Sequence, residues 1–321
     1  EVDLPTQIIL TTSATHSLNI ALWGLGLKKG DKVITTITEH NSLLRPLHHI
    51  KEKFGIDIMF IGLDDYGDLN KEEFDKLIDE NVKLVAINHA SNVTGRVNDV
   101  KPIFSKAKSY GAITLLDASQ SLGYIQFKVN EIQADIVAFT GHKVLHGPTG
   151  TGGLYVSPSI ELEQIFVGGT GVRSDLMLHP QEMPTRYEAG TPNLPAFCGL
   201  AKALDWHHQN HKNFCKKVDD LTSELIKGLS DIPKVEIFNN SNDSIRVPIV
   251  SFRIKGWEIE EVGYILNQSF GIICRSGLHC APLIHKAIGS FPDGTIRFSL
   301  SGFNADEEVE TAIDAIRKIA R

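Results

Sequence analysis

Cysteine is scarce: four residues in 321, and Cys198, Cys215, Cys274 and Cys280 form neither a CxxC pair nor a regular framework. That excludes a disulfide-stapled scaffold and points to a reducing compartment, with a cytoplasmic location as the expectation. No apolar run approaches the roughly 20 residues that span a bilayer, so no membrane association is expected. No signal-peptide pattern opens the chain. Basic residues are not in excess: 32 Lys and Arg against 39 Asp and Glu leave a net charge of −7, and no nucleic-acid partner is expected. The signature GxxxxGK[ST] is missing, and no GxGxxG sits between a first strand and its helix. There is no initiator Met. The chain opens on Glu1-Val2-Asp3 close to a predicted strand, which reads as a fragment or processed form without its N-terminal segment.

What is present is ordinary for a globular protein: 42% hydrophobic and 22% charged residues. The length is too great for one small core and suggests a large domain with a smaller one. Strands are predicted over 7–11, 32–36, 57–61, 83–88, 112–116 and 135–140. Helices are predicted between them, over 14–27, 41–54, 71–79 and 100–110. This alternation argues for an α/β domain with a mostly parallel sheet flanked by helices, spanning residues 1–194. Past Pro195 the texture changes to a long helical stretch, 197–229, with a break expected near the polar cluster His207–His211. Strands follow over 235–238, 247–254, 272–274 and 295–299, with helices over 259–270 and 306–320. Residues 195–321 therefore read as a smaller α+β domain.

In sheets of this kind ligands collect beyond the carboxyl ends of the strands, which makes the residues there the candidates for a site. Phe139-Thr140-Gly141-His142-Lys143 ends an apolar strand. Lys143 is either a surface lysine or, if desolvated, an amine able to condense with an aldehyde. Ala14-Thr15-His16 starts a helix, where backbone N–H groups and the Thr15 hydroxyl form a simple cap or hold an anion. His40, after Glu39, either packs and caps or stacks on a flat cofactor. Asp117-Ala118-Ser119-Gln120 places a carboxylate against the apolar Ile113–Leu116. It is a helix cap or the partner of a protonated pyridine nitrogen. Asn88, His89, Ser91 and Asn92 follow the strand over 83–88. Gly147-Pro148-Thr149-Gly150-Thr151-Gly152-Gly153 reads as a tight turn with close backbone packing. In the second half, Arg275 and His279 flank Cys280, and a thiol in such company is a candidate low-pKa nucleophile; the alternative is a buried, inert one. Arg297 inside a strand pattern is a carboxylate receptor or a structural ion pair. His207, His208 and His211 lack a carboxylate or thiolate at ligand spacing and are assigned to a solvated helix face, so no metal is expected.

Taken together, these residues resemble the cysteine desulfurase and selenocysteine lyase family, within the class-V aminotransferase group of fold type I pyridoxal-phosphate enzymes. The resemblance runs from Thr11 to the C-terminus. It rests on Thr-Gly-His-Lys at 140–143, Asp-x-x-Gln at 117–120, Arg-Tyr-Glu-Ala-Gly-Thr-Pro-Asn at 186–193 and Arg-Ser-Gly-Leu-His-Cys-Ala-Pro at 275–282. It implies pyridoxal 5'-phosphate as cofactor, carried by Lys143 as a Schiff base. Asp117 would meet the ring nitrogen, Gln120 the ring hydroxyl, and His40 the ring face. Ala14 through its backbone, Thr15, Thr140 and His142 would hold the phosphate, with Thr191 reaching in from the second subunit of a homodimer. Asn92 and Arg297 would bind the amino-acid carboxylate, and Cys280, with Arg275 close by, would take the sulfur of L-cysteine as a persulfide and pass it to an acceptor protein or thiol. Selenocysteine lyase, an aminotransferase or C–S lyase on the same fold, and a non-catalytic sulfur-assembly partner are the alternatives. The family has several dozen residues ahead of the point where this chain starts, and Ala14 stands where a second hydroxyl residue is frequent.

Overall fold

The computed structural model describes residues 4–238 and 245–321, so the opening Glu1-Val2-Asp3 lies outside the described residues. The chain forms two compact units. The first is Glu1–Asp64, Leu69–His89 and Asn98–Gln209; the second is Asp65–Asp68, Ala90–Val97 and Asn210–Arg321. The division thus falls at 209/210 rather than 194/195, and two short pieces of the first half, one of them carrying Asn92, belong to the second unit.

In the first unit the chain runs β1 (Ile8–Thr11), α1 (Ala14–Gly24), β2 (Lys32–Thr36), α2 (Asn41–Phe54), β3 (Asp57–Ile61), α3 (Lys71–Leu77), β4 (Val82–Asn88), α4 (Val100–Ser109), β5 (Ile113–Asp117), α5 (Val129–Ile132), β6 (Ile136–Thr140) and β7 (Gly152–Val156). The strands form one sheet in the order β1-β7-β6-β5-β4-β2-β3. From β3 through β6 the neighbours are parallel, and β7 is antiparallel to both β6 and β1. Alternating strand residues feed two cores. Val33, Leu84, Leu115 and Ile136 pack with α1 and α2. Ile34, Val85, Leu116 and Val137 pack with α3 and α4. Burial on both faces explains why the central strands read as unbroken apolar runs.

Three local expectations are revised. β5 extends to Asp117, whose backbone is in register with Asn88 on one side and Ala138 on the other, so Asp117 ends the strand instead of following it. Gly152 and Gly153 open strand β7. Glycine is depleted in strands and hid this one. Its presence has a steric cause: a Cβ on Gly152 would lie 2.8 Å from the Phe139 carbonyl oxygen and 2.9 Å from the Ser13 backbone. Third, α6 (Leu194–Ser230) is continuous through His207–His211. It enters on Pro195, which suits a first turn, and the polar cluster contains no Gly or Pro to interrupt it.

The second unit, besides the last part of α6, contains β8 (Val235–Phe238), β9 (Ile249–Ile254), α7 (Ile259–Phe270), β10 (Arg275–Gly277), α8 (Pro282–Ala287), β11 (Thr295–Ser299) and α9 (Asp306–Ile319). Its antiparallel sheet has the order β10-β11-β9-β8. The core joins Leu221, Leu225 and Leu229 of α6 to Phe252, Val262, Leu266, Ile296 and Ile316. The strand expected over 272–274 lies at 275–277, because pairing with β11 sets its register: Arg275 faces Arg297 and Gly277 faces Thr295. Segment 90–97 is sewn into this unit by Ser251 Oγ donating to Val93 O at 2.5 Å. The Val247 N–H donates to Gly95 O at 2.8 Å.

Candidate active site

Because β7 is antiparallel to both its neighbours, β1 runs in the same direction as β6. The carboxyl ends of β1, β2, β4, β5 and β6 therefore share one edge of the first sheet. Along it Thr11 and Thr140 both align with Gly152, and Asp117 aligns with Ala138. At the head of α1, the Ser13 side chain caps the His16 N–H. Ser13 leaves the Ala14 and Thr15 N–H groups to an outside acceptor, since first-turn donors have no partner within the helix. Thr15 is exposed and lines an open groove of about 440 Å³ with Ser13, His16, Asn19, Trp23, Ile165 and Phe166. Beyond β6 the buried Thr140 hydroxyl meets His142 Nδ1 at 2.8 Å. Burial and the Lys143 charge hold His142 below its ordinary value. The His146 N–H closes the turn on Lys143 O at 2.9 Å. Lys143 itself is exposed, so the protein chain does not supply the desolvation that Schiff-base chemistry was expected to exploit.

Asp117 is 4% exposed. Its Oδ1 accepts hydrogen bonds from the Ser119 N–H and hydroxyl. No ion pair among the described residues neutralises it. A buried carboxylate without a cation is costly, and a protonated pyridine nitrogen is the kind of group that would relieve it. Lysine, carboxylate, hydroxyls and helix N–H donors on one sheet edge fit pyridoxal phosphate. Gln120 is half buried three residues on. His40 is half buried and caps α2: its Nδ1 accepts the Ser42 N–H at 3.0 Å, which leaves the neutral ring's proton on Nε2.

Glu39, which the sequence offers only as the neighbour of His40, is completely buried. Its Oε1 accepts from the Thr36 hydroxyl at 2.8 Å and the Asn88 N–H at 2.9 Å. Oε2 is buried without a hydrogen-bond partner among the described residues. Burial above all pushes its pKa up to about 8, against the pull of the Asn88 and Thr36 hydrogen bonds, and the Asp117 charge adds to the rise. The hint in the sequence is the run Thr35-Thr36-Ile37-Thr38-Glu39, which begins in the last two residues of β2 and supplies hydroxyls for a buried acid. Between the ordinary carboxyl value near 4.5 and about 8 the folded chain binds the extra proton, so stability falls as pH rises through that window. Glu39→Gln mimics the neutral acid and removes this slope. Relative to wild type its Tm should therefore rise between pH 5 and pH 8, by an increment on the order of a few kcal/mol in stability. Equal Tm differences at the two pH values in a thermal-melt series would refute a buried neutral acid.

In the second unit, Cys280 Sγ lies 3.7 Å from Arg275 Nη2. Arg297 Nη1 donates to Asn92 O at 2.9 Å, and Asn92 Nδ2 donates to His279 O at 2.7 Å. Arg297 Nε and Asn92 Oδ1 are buried without hydrogen-bond partners among the described residues. That leaves a donor and an acceptor for a ligand. The His279 ring turns inward to Thr295 Oγ1 at 2.9 Å. Burial, then Arg297, His285 and Arg275, lowers it to about 3, so it is no base for the neighbouring thiol. Arg275, Arg297, Asn92 and Cys280 thus share one cluster.

The remaining sequence candidates fall elsewhere. Thr191 is exposed in an irregular stretch of the first unit. Of the motif 186–193, Tyr187 donates through its hydroxyl to Leu162 O at 2.8 Å, and Glu188 accepts the Leu10 N–H at 2.7 Å. These contacts are architectural. His207 is 7% exposed and bonded to Gly123 O, so it is no part of a solvated face. No group of three metal-ligating side chains occurs among the described residues.

The sequence profile of the family described as Aminotransferase class-V matches residues 1–311. This chain belongs to the class-V aminotransferase family. The class-V aminotransferases are a family of pyridoxal-phosphate enzymes, and the mostly parallel sheet flanked by helices is their α/β fold. Its relatives include a protein named probable cysteine desulfurase from Methanothermobacter thermautotrophicus, 34% identical over 98% of this chain and 79% of the relative. Another, named cysteine desulfurase, is from Haloferax volcanii, 32% identical over 97% of this chain and 74% of the relative. Among solved structures, an apo cysteine desulfurase from Thermococcus onnurineus superposes with a TM-score of 0.91 at 34% identity, covering 98% of this chain and 79% of that one.

Proposed function

We propose that the chain is a cysteine desulfurase that uses pyridoxal phosphate to convert L-cysteine to L-alanine and a persulfide on Cys280. The observation that carries the reading is the cluster of Arg297, Asn92, Arg275 and Cys280, which combines carboxylate receptors with a thiol beside a guanidinium. The relatives' names agree with it.

In the first unit the α1 N–H groups with Thr15, Thr140 and His142 would hold the phosphate, Asp117 the ring nitrogen, His40 the ring face and Gln120 the ring hydroxyl. Bound pyridoxal phosphate supplies an electron sink that weakens the bonds around the amino-acid α-carbon. Lys143 Nζ would be the amine that carries the cofactor and the base for the substrate α-proton. In the second unit Arg297 would bind the substrate carboxylate, with the second Nδ2 hydrogen of Asn92 as a further donor. The Cys280 sulfur, 3.7 Å from Arg275 Nη2, attacks the substrate sulfur. An S–S bond forms as the C–S bond breaks, L-alanine leaves, and an acceptor thiol or protein removes the sulfur.

A homodimer completes the proposal, with Thr191 serving the partner's phosphate site. Exposed Phe166, Val167, Met177 and Leu178 precede it in the chain and offer the apolar surface such a contact needs. A reducing, cytoplasmic setting suits the unbridged cysteines. No helix among the described residues is long and apolar enough to cross a membrane.

The test is an absorbance spectrum of the protein loaded with pyridoxal phosphate, before and after L-cysteine, with alanine assayed and Cys280 examined by mass spectrometry. A near-visible band that changes with cysteine, alanine release and a persulfide on Cys280 are expected. Failure to take up the cofactor, or pyruvate and sulfide in place of alanine, would overturn the reading.

A further inference from the structure

His279 and Cys280 both sit in the left-handed region, at φ 49° and 59°. Side chains rarely adopt this conformation, and two in succession persist only where the surroundings over-determine them. Three bonds do so here. The His279 ring nitrogen Nε2 pairs with the fully buried Thr295 hydroxyl at 2.9 Å. The His279 carbonyl accepts from Asn92 Nδ2 at 2.7 Å. The N–H of buried Ala281 closes on Leu278 O at 2.9 Å. Thr295 and Arg297 are two apart on β11 and point to the same face of the strand.

We propose that His279 and Thr295 are positioning residues for the Cys280 thiol, a buried strut that fixes the sulfur relative to Arg297 on the same strand. The side chain before the nucleophile thus acts through the protein interior and does not touch the reacting atoms. Asn92 holds the same turn by its backbone while Arg297 holds Asn92, so two hydrogen bonds run from Arg297 through Asn92 to His279, one peptide bond from Cys280.

This rests on the desulfurase reading, and the experiment separates the two. Iodoacetamide alkylation of the holoenzyme is followed against pH at the Cys280 peptide by mass spectrometry, together with kcat and KM for L-cysteine. Thr295→Val keeps the shape and removes the hydroxyl. His279→Asn keeps a residue tolerant of the left-handed region and withdraws the ring, and it serves if the valine variant fails to fold. Either change should alter the rate of Cys280 alkylation by about threefold or more, as the thiol drifts from its place beside Arg275. It should also lower kcat about tenfold or more with KM within about twofold. Thr295→Ser should behave as wild type. Alkylation profiles identical to wild type overturn the strut, and so does a serine variant as impaired as the valine one. If wild-type protein releases no alanine, the desulfurase reading falls, and the alkylation comparison still decides the strut.

Discussion

Replacing Cys280 with alanine should leave a protein that takes up pyridoxal phosphate and shows its near-visible band but releases alanine from L-cysteine at least about 10³-fold more slowly, a loss of the size that follows removal of a nucleophile. The residues proposed to hold the cofactor belong to the first unit and Cys280 to the second, with Arg275 Nη2 3.7 Å from its sulfur. Cofactor uptake and spectrum should therefore be insensitive to the change. The KM should move little as well, since the carboxylate receptors Arg297 and Asn92 are untouched. Cysteine turnover and cofactor absorbance measured on one preparation check both halves. Undiminished alanine release would reassign sulfur removal to another group, and loss of the band would mean that Cys280 has a structural part in cofactor binding.

The second large effect is at Asp117. Asparagine keeps an oxygen for the Ser119 N–H and hydroxyl but removes the charge. Loss of one member of a buried charge pair costs about 2–5 kcal/mol, so kcat should fall by between roughly 30-fold and 5,000-fold. Without cofactor the same substitution should stabilise the protein. Asp117 then has no cation and lies where its charge disfavours ionisation of Glu39. Opposite signs, higher Tm without cofactor and lower kcat with it, are a signature that a helix-capping aspartate would not produce. Thermal melts of the apo protein and steady-state kinetics of the loaded protein read the two.

The parallel strands and their carboxyl ends were legible because strands buried on both faces are written as contiguous apolar runs, such as Leu84–Ile87. Thr15, His40, Asp117, Thr140 and Lys143 could be located by position alone, each at or just past such a run. What was illegible depends on distant neighbours. Gly152 and Gly153 look like a turn until Phe139 and Ser13 are seen to occupy the space of a side chain. His207 reads as a polar helix face until it meets Gly123. β10 is displaced by three residues because its place is set by pairing with β11. Glu39 is an acid in a polar run whose burial comes from Thr36 and Asn88 on two different strands. The thiol motif was visible as Arg275-Ser276-Gly277-Leu278-His279-Cys280, but the direction of the His279 ring was not: it turns toward Thr295, away from the role of base.

The second unit includes residues 90–97 as well as the chain from 210 onward, and this has a consequence for synthesis and for genetic dissection. After Val97 is made, the ribosome must add roughly 150 residues before Ile245, whose carbonyl accepts the Val97 N–H, exists. At about 5–20 residues per second that is a wait on the order of ten seconds. Asn92 waits longer still, until residue 279 has left the exit tunnel. A gene fragment encoding only residues 210–321 would yield a sheet without the strip that Ser251 and Val247 bind, and a thiol turn without its amide clamp.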